Sequence, residues 1–289
     1  MTSGFTVGLV QMTSGRDLGP NVEAASALIR EVRGQGADFV LTPETTTMME
    51  PRRKLTLEKA APEAEHEGVS AFAALAAELE IWLLIGSMTV GLEESGGGEK
   101  VANRSFLFDP AGGIAARYDK IHMFDVEIPD GQSYRESSTY RAGSAAVTAA
   151  LPWGTLGLSV CYDLRFPQLY RSLARAGADF LTVPAAFTRF TGQAHWHVLL
   201  RARAIETGCF VFAPAQCGEH AEGRQTYGHS LVVAPWGEVL ADGGEAPGVV
   251  VAEVDPARVA EARRMVPALG HDRRFEAPAA AAHLRAAGE

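Results

Sequence analysis

The sequence predicts an α/β protein in which two similar halves stack their sheets within one domain. Apolar runs of strand length alternate with segments of helical periodicity along the chain. Two stretches of the first half also recur in the second. Gly36-Ala-Asp-Phe-Val-Leu-Thr-Pro43 parallels Gly177-Ala-Asp-Phe-Leu-Thr-Val-Pro184, each reading as a helix end, a strand and a proline stop. Ser105, Pro110 and Gly112 match Ser230, Pro235 and Gly237 in spacing, both sets on strand-turn-strand segments. Plain reuse of turn chemistry, common in α/β proteins, is the alternative source of such echoes.

Taken in order, the chain opens with a strand over Phe5 to Met12. A helix over Asn21 to Arg33 follows, with Val22, Ala25, Leu28, Ile29 and Val32 at helical spacing. Next come a buried strand at Asp38 to Thr42, a helix at Ser70 to Glu80, a strand at Ile81 to Ile85 and a strand pair around Phe106 and Ile114. The second half repeats the alternation: strand Leu156 to Val160, helix Gln168 to Ala176, strand Phe180 to Val183, helix His195 to Glu206, strand Phe210 to Ala213. A hairpin around Pro235-Trp-Gly237, a strand at Val249 to Val254 and a short helix at Ala257 to Arg264 close it. One domain is expected over 1–272, and the Ala-rich 273–289 reads as an exposed tail or a contact for another subunit.

Composition sets outer bounds on function. Of 289 residues, 47% are hydrophobic and 21% charged, so the chain buries a sizeable core and lacks the signature of disorder. A net charge of -9 argues against a nucleic-acid partner, and an anionic substrate would need local arginines. No stretch approaches the roughly 18 apolar residues that span a bilayer. With no basic-then-apolar start, the expectation is a mature cytoplasmic chain. The three cysteines, at 161, 209 and 217, are odd in number and lack metal-ligand spacing, so neither a disulfide framework nor a metal site is expected.

Three residues have contexts that suit chemistry, and a fourth, Glu136, has none of its own. Glu44 follows a buried strand and a proline, where a sheet edge opens, so it reads either as a base or as an N-cap or surface carboxylate. In the second echo the same position is Ala185. Cys161 ends the apolar run Leu156-Gly-Leu-Ser-Val160 at a strand-to-helix junction, where a helix N-terminus would lower its pKa; a buried structural cysteine is the alternative. Lys120, in Tyr118-Asp-Lys-Ile-His-Met-Phe-Asp125, is flanked by residues that could carry it inward, or it is a solvated strand end. Glu136, in Tyr134-Arg-Glu-Ser137, has no periodicity to raise it above a surface acid.

Other features are set aside. Ser159 imitates a serine elbow, but Cys161 replaces the second glycine of that motif. Gly96-Gly-Gly-Glu-Lys100 lacks the spacing of a phosphate loop and reads as a hairpin tip. His195 and His197 lie two apart on a helix and point to different faces, unlike zinc-binding helical pairs, while His122 and His229 could reach a site but read rather as structural histidines.

Glu44, Lys120 and Cys161 stand in Leu-Thr-Pro-Glu-Thr, Tyr-Asp-Lys-Ile-His and Val-Cys-Tyr-Asp-Leu-Arg-Phe-Pro. Here the chain resembles the nitrilase superfamily of carbon-nitrogen hydrolases, from about Phe5 to Asp272. The resemblance implies a four-layer αββα sandwich with an internal pseudo-twofold, pairing into a homodimer or higher homo-oligomer. It further implies that Glu44 is the general base, Cys161 the nucleophile, Lys120 the stabiliser of the tetrahedral intermediate and Glu136 the supporting acid. The backbone of Tyr162 would help hold the oxyanion. Arg165 is expected to clamp a substrate carboxylate, with bracing of the turn through Asp163 or another carboxylate as the alternative, and Phe187 and Thr191 would form the opposite wall. No cofactor is implied.

Within the superfamily, the run from Phe187 to Trp196, then Ala215-Gln-Cys-Gly218 and Tyr227-Gly-His-Ser230, is most similar to deaminated glutathione amidases. That likeness implies a small acidic amide as substrate, cleaved to α-ketoglutarate and cysteinylglycine. An ω-amidase acting on α-ketoglutaramate, a carbamoyl-amide hydrolase and a nitrilase would use the same four residues. A catalytically silent scaffold would have lost one of them. Gln193, where a proline is common, and the loop Asp130-Gly-Gln before Glu136 depart from the pattern near the expected pocket mouth.

Overall fold

The computed structural model describes residues 4–92, 100–129 and 133–276. Residues 96–99 of the hairpin tip expected at 96–100, the Asp130-Gly-Gln loop and the tail from 277 lie outside the described residues. The first half runs β1 (Phe5–Gln11), α1 (Leu18–Gly34), β2 (Phe39–Leu41), α2 (Arg53–Lys59), β3 (Ala61–Pro62), α3 (Glu67–Leu79), β4 (Trp82–Gly91), β5 (Val101–Phe108) and β6 (Ile114–Asp119). A small hairpin, β7 (Asp125–Glu127) and β8 (Ser133–Arg135), links it to the second half. There follow β9 (Thr148–Leu151), β10 (Gly154–Gly157), α4 (Pro167–Arg175), β11 (Phe180–Thr182), α5 (Arg189–Thr207) and β12 (Phe210–Ala213). A second hairpin, β13 (Cys217–Glu219) and β14 (Gln225–Tyr227), precedes β15 (Leu231–Val233), β16 (Val239–Asp242), β17 (Gly248–Val254) and α6 (Ala257–Met265).

Two mixed sheets result, ordered β17-β1-β2-β4-β5-β6, with β3 on β4, and β16-β15-β12-β11-β10-β9. Each carries a parallel trio, β1-β2-β4 in one and β10-β11-β12 in the other, flanked by antiparallel strands. The echoing halves are thus two similar sheets. Their facing sides share one core, in which Phe5 and Phe39 of the first sheet meet Phe180 and Phe212 of the second at ring separations of 5.4 to 6.3 Å. Outside the first sheet, Ala25, Ile29 and Val32 of α1 and Phe72 and Leu75 of α3 pack on Val10, Val40 and Ile85. Leu169 and Leu173 of α4 and Trp196 and Leu200 of α5 cover the second. The layers are α, β, β, α.

Local chemistry explains the element ends. His66 Nδ1 accepts from Gly68 N at 3.1 Å to start α3, and Thr188 Oγ1 accepts from Thr191 N at 3.3 Å to start α5. That cap begins α5 six positions before the start expected at His195. The strand expected over Leu156 to Val160 stops at Gly157; Leu158–Val160 stay buried but leave the ladder. The short α2 and the two hairpins were not expected from the sequence, being too brief and polar to show a period.

Pro43 and Pro184, the two echoing stops, converge. A Cβ at Gly86 would lie 2.1 Å from Thr42 O, 2.4 Å from Pro184 Cβ and 2.5 Å from Pro43 O. Only glycine admits this approach, and it brings the residues after both prolines into one site.

Candidate active site

Three strand ends and one loop deliver the central side chains. Glu44, just past Pro43, is 3% exposed, and Lys120, just past β6, is 2% exposed. Lys120 Nζ donates to Glu44 Oε1 at 2.9 Å and to Glu136 Oε1 and Oε2 at 2.9 and 2.8 Å. Glu136 is fixed in turn by Phe124 N, which donates to its Oε2 at 2.6 Å. Ala186 N, from the second half, donates to Glu44 Oε2 at 2.9 Å, and the buried Cys161 thiol lies within the field of the same carboxylate. The structure therefore brings together all four residues singled out in the sequence.

Electrostatics sets their resting states. Burial alone would raise the Glu44 carboxyl, but the charge and hydrogen bond of Lys120 outweigh it and hold Glu44 below the usual carboxylate range. Burial disfavours the Lys120 ammonium too, yet the charges of Glu136 and Glu44 raise it well above its ordinary value. Burial and then the Glu44 charge push the Cys161 thiol well above its ordinary range, and Lys120 only partly offsets them. This corrects the expectation that a helix N-terminus lowers the thiol pKa. What begins at Cys161 is a five-residue 3-10 turn, Cys161–Arg165, with α4 starting only at Pro167. At neutral pH the set is a carboxylate, an ammonium and a protonated thiol, which is a base poised beside an inactivated nucleophile.

Cys161 has φ 49, a left-handed conformation that non-glycine residues adopt at a cost of roughly 1–2 kcal/mol. The turn is held by Cys161 N donating to Pro184 O at 2.9 Å and by Asp163, whose Oδ2 accepts from Val160 N at 2.8 Å and from the Tyr118 hydroxyl at 2.7 Å. Asp163 also binds His122, with Oδ1 2.7 Å from Nδ1. Ser159 is structural, its Oγ donating to Thr182 O at 2.6 Å.

A cavity of about 280 Å³ opens onto these groups, and Tyr162, Phe187 and Thr191 line it. Arg165 is not among the lining residues. Its guanidinium lies 5.9 Å from the Tyr162 ring and 5.2 Å from the Phe187 ring, behind that wall, with NH1 3.3 Å from His195 Nδ1. The ion pair with Asp163 weighed as its alternative is not formed either, since Asp163 serves the turn and His122. Three arginines do line the cavity, Arg53, Arg135 and Arg224, the last between β13 and β14. Arg224 NH2 donates to Ala186 O at 2.9 Å, and its Nε is buried with no hydrogen-bond partner among the described residues.

Asn103 was also missed. From the middle of β5 its Nδ2 donates to Glu44 Oε1 at 3.0 Å and to Glu136 Oε1 at 3.2 Å, tying the two carboxylates together. A sequence signal existed: an amide inside the otherwise strand-like Val101-Ala-Asn-Arg-Ser-Phe106.

The match to known proteins decides the family. The Carbon-nitrogen hydrolase family model matches residues 6–264. This chain belongs to that family. It is an enzyme, a hydrolase of carbon-nitrogen bonds. This hydrolase is 43% identical over 270 residues to the deaminated glutathione amidase of Synechocystis, covering 92% of this chain and 97% of that protein. It is 40% identical over 268 residues to the human deaminated glutathione amidase, covering 92% and 82%. Among solved structures, Saccharomyces cerevisiae Nit3, a member of branch 10 of the nitrilase superfamily, superposes with a TM-score of 0.82 at 29% identity over 94% of this chain and 97% of that one. Such relatives support an amidase built on the nitrilase-superfamily sandwich. Among the described residues of the hydrolase, no helix is long and apolar enough to cross a membrane.

Proposed function

We propose that this hydrolase cleaves the amide of deaminated glutathione to α-ketoglutarate and cysteinylglycine through a Cys161 thioester. The observation that carries the reading is the buried contact of the Cys161 thiol, the Glu44 carboxylate and the Lys120 ammonium at the floor of a cavity whose wall includes Arg224. Glu44 takes the thiol proton as sulfur attacks the amide carbon, and the Lys120 ammonium and the backbone N–H of Tyr162 hold the oxyanion. Collapse breaks the C–N bond, and the protonated Glu44 returns its proton to the leaving amine. Glu44 then takes a proton from water, whose oxygen attacks the thioester; collapse breaks the C–S bond, Glu44 returns that proton to sulfur, and the acid product leaves and ionises in solvent.

An acidic substrate suits the wall. The unpartnered Nε of Arg224 offers a donor to a substrate carboxylate in a chain that is acidic overall. The test of the function is product analysis with deaminated glutathione, α-ketoglutaramate and a simple aliphatic amide. Release of α-ketoglutarate and cysteinylglycine at the highest kcat/KM is the expected result, and preference for α-ketoglutaramate would replace the reading with an ω-amidase. Arg224→Lys tests the clamp separately. Loss of a bidentate donor should cost about tenfold or more in kcat/KM on the acidic amides and much less on the neutral one. An equal loss on both removes Arg224 from recognition and leaves the reaction untouched.

The pH profile follows from the resting states. With Glu44 held low and the thiol held high, kcat/KM on a neutral amide should fall only in acid, with a midpoint below the usual carboxylate range. It should show no rise through about 8.5, the ordinary thiol value. A rise there, abolished with the thiol, would mean that a free thiolate carries the reaction.

A further inference from the structure

His197, His229 and Asp242 meet on the surface outside the catalytic cavity. His197 Nε2 lies 3.2 Å from Asp242 Oδ2, and His229 Nδ1 lies 2.9 and 3.1 Å from the two Asp242 oxygens. One ligand atom from each residue falls within 4.8 Å of the others. The divergence expected of His195 and His197 holds, because His195 faces Arg165. What spacing could not show is that the fold carries His197 on α5 to the end of β16 and the turn before β15. Contacts to the surrounding chain hold His229 and Asp242 in place. His229 has φ 54, its carbonyl accepts from Trp196 Nε1 at 2.8 Å, and its N–H donates to Gly244 O at 2.6 Å. Gly244 N in turn donates to Asp242 Oδ1 at 2.9 Å.

We propose that this triad binds one divalent transition-metal cation, zinc above all. Two imidazoles and a carboxylate are a donor set that zinc takes, with water completing a four-coordinate shell. In the structure each ring aims a nitrogen at the carboxylate, so a neutral ring places its proton there. Binding moves that proton to the far ring nitrogen through solvent, and the freed lone pair meets the cation. Side-chain exposures of 33% for His197, 35% for Asp242 and 19% for His229 leave the ion a way in. The bound ion would staple α5, whose first turn supplies Thr191 to the cavity wall, to the edge strand β16.

Cobalt(II) added to the metal-free full-length protein and followed by visible absorbance tests the site, since a sulfur-to-cobalt band reports any ion caught by Cys161 instead. One equivalent should bind without that band. His197→Ala and Asp242→Asn should each weaken binding by about tenfold or more, as even the loss of an outer-shell partner does. Zinc should raise the Tm of the parent protein and not of either variant, while metal-free turnover stays the same in all three. No binding by the parent, parent-like affinity in both variants, or a sulfur band would each overturn the site.

Discussion

Cys161→Ala should yield a folded protein whose turnover falls by on the order of 10⁴-fold or more, as removal of a covalent nucleophile does elsewhere. Folding should survive because the change removes one sulfur at the cavity floor. The turn around it is held by Val160 N, Asp163 and Pro184 O, none of which involves the thiol. The Tm should therefore move little while kcat collapses. The other two thiols are poor substitutes: Cys209 is buried and donates to Ala178 O at 3.2 Å, and Cys217 is buried near Thr13. A near-normal kcat in Cys161→Ala, or an alkylating probe that inactivates by labelling Cys209 or Cys217, would remove Cys161 from the mechanism.

The second large effect is expected at Glu44 and Lys120. Glu44→Gln keeps the side chain's shape and an oxygen for Lys120 or Ala186 N, but it cannot take a proton from sulfur. Lys120→Arg asks a planar fork to fit a site that is 2% exposed and shaped around a compact ammonium. Each should cost roughly 100-fold or more in kcat. Lys120→Met separates charge from shape. Without the ammonium, the largest offset to the burial of Glu44 is lost, so the Glu44 pKa should rise and residual activity should move to higher pH. Full activity in Glu44→Gln or Lys120→Arg, measured in proteins with parental Tm, would exclude that residue.

Much of this was legible in the sequence for a physical reason. β12 begins and ends where its apolar run does, and α1 and α4 fall within a few residues of their stripes, because burial on one face imposes a period. The three strand-end residues could be read because proline, glycine and apolar runs mark where a sheet opens. Asn103 and Arg224 could not be ranked, since what singles them out is a contact with Glu44 or with the cavity that only the tertiary fold creates. The same holds for the Cys161 thiol: a helix end was expected to lower its pKa, and distant burial and a carboxylate from the other half raise it instead.

The buried cluster of Lys120, Glu44 and Glu136 has a simple electrical consequence. At rest it holds one positive and two negative charges beside a neutral thiol, a net of one negative charge. On the proposed route, the proton that leaves sulfur stops on Glu44, and the negative charge appears on the substrate oxygen. When that oxygen's charge is spent in breaking the C–N bond, Glu44 gives its proton to the departing amine and is negative again. Hydrolysis repeats the same exchange with water. The interior total never changes, so no counter-ion must follow the reaction into the buried site. Enclosure of the ion cluster thus imposes no electrical barrier between one step and the next.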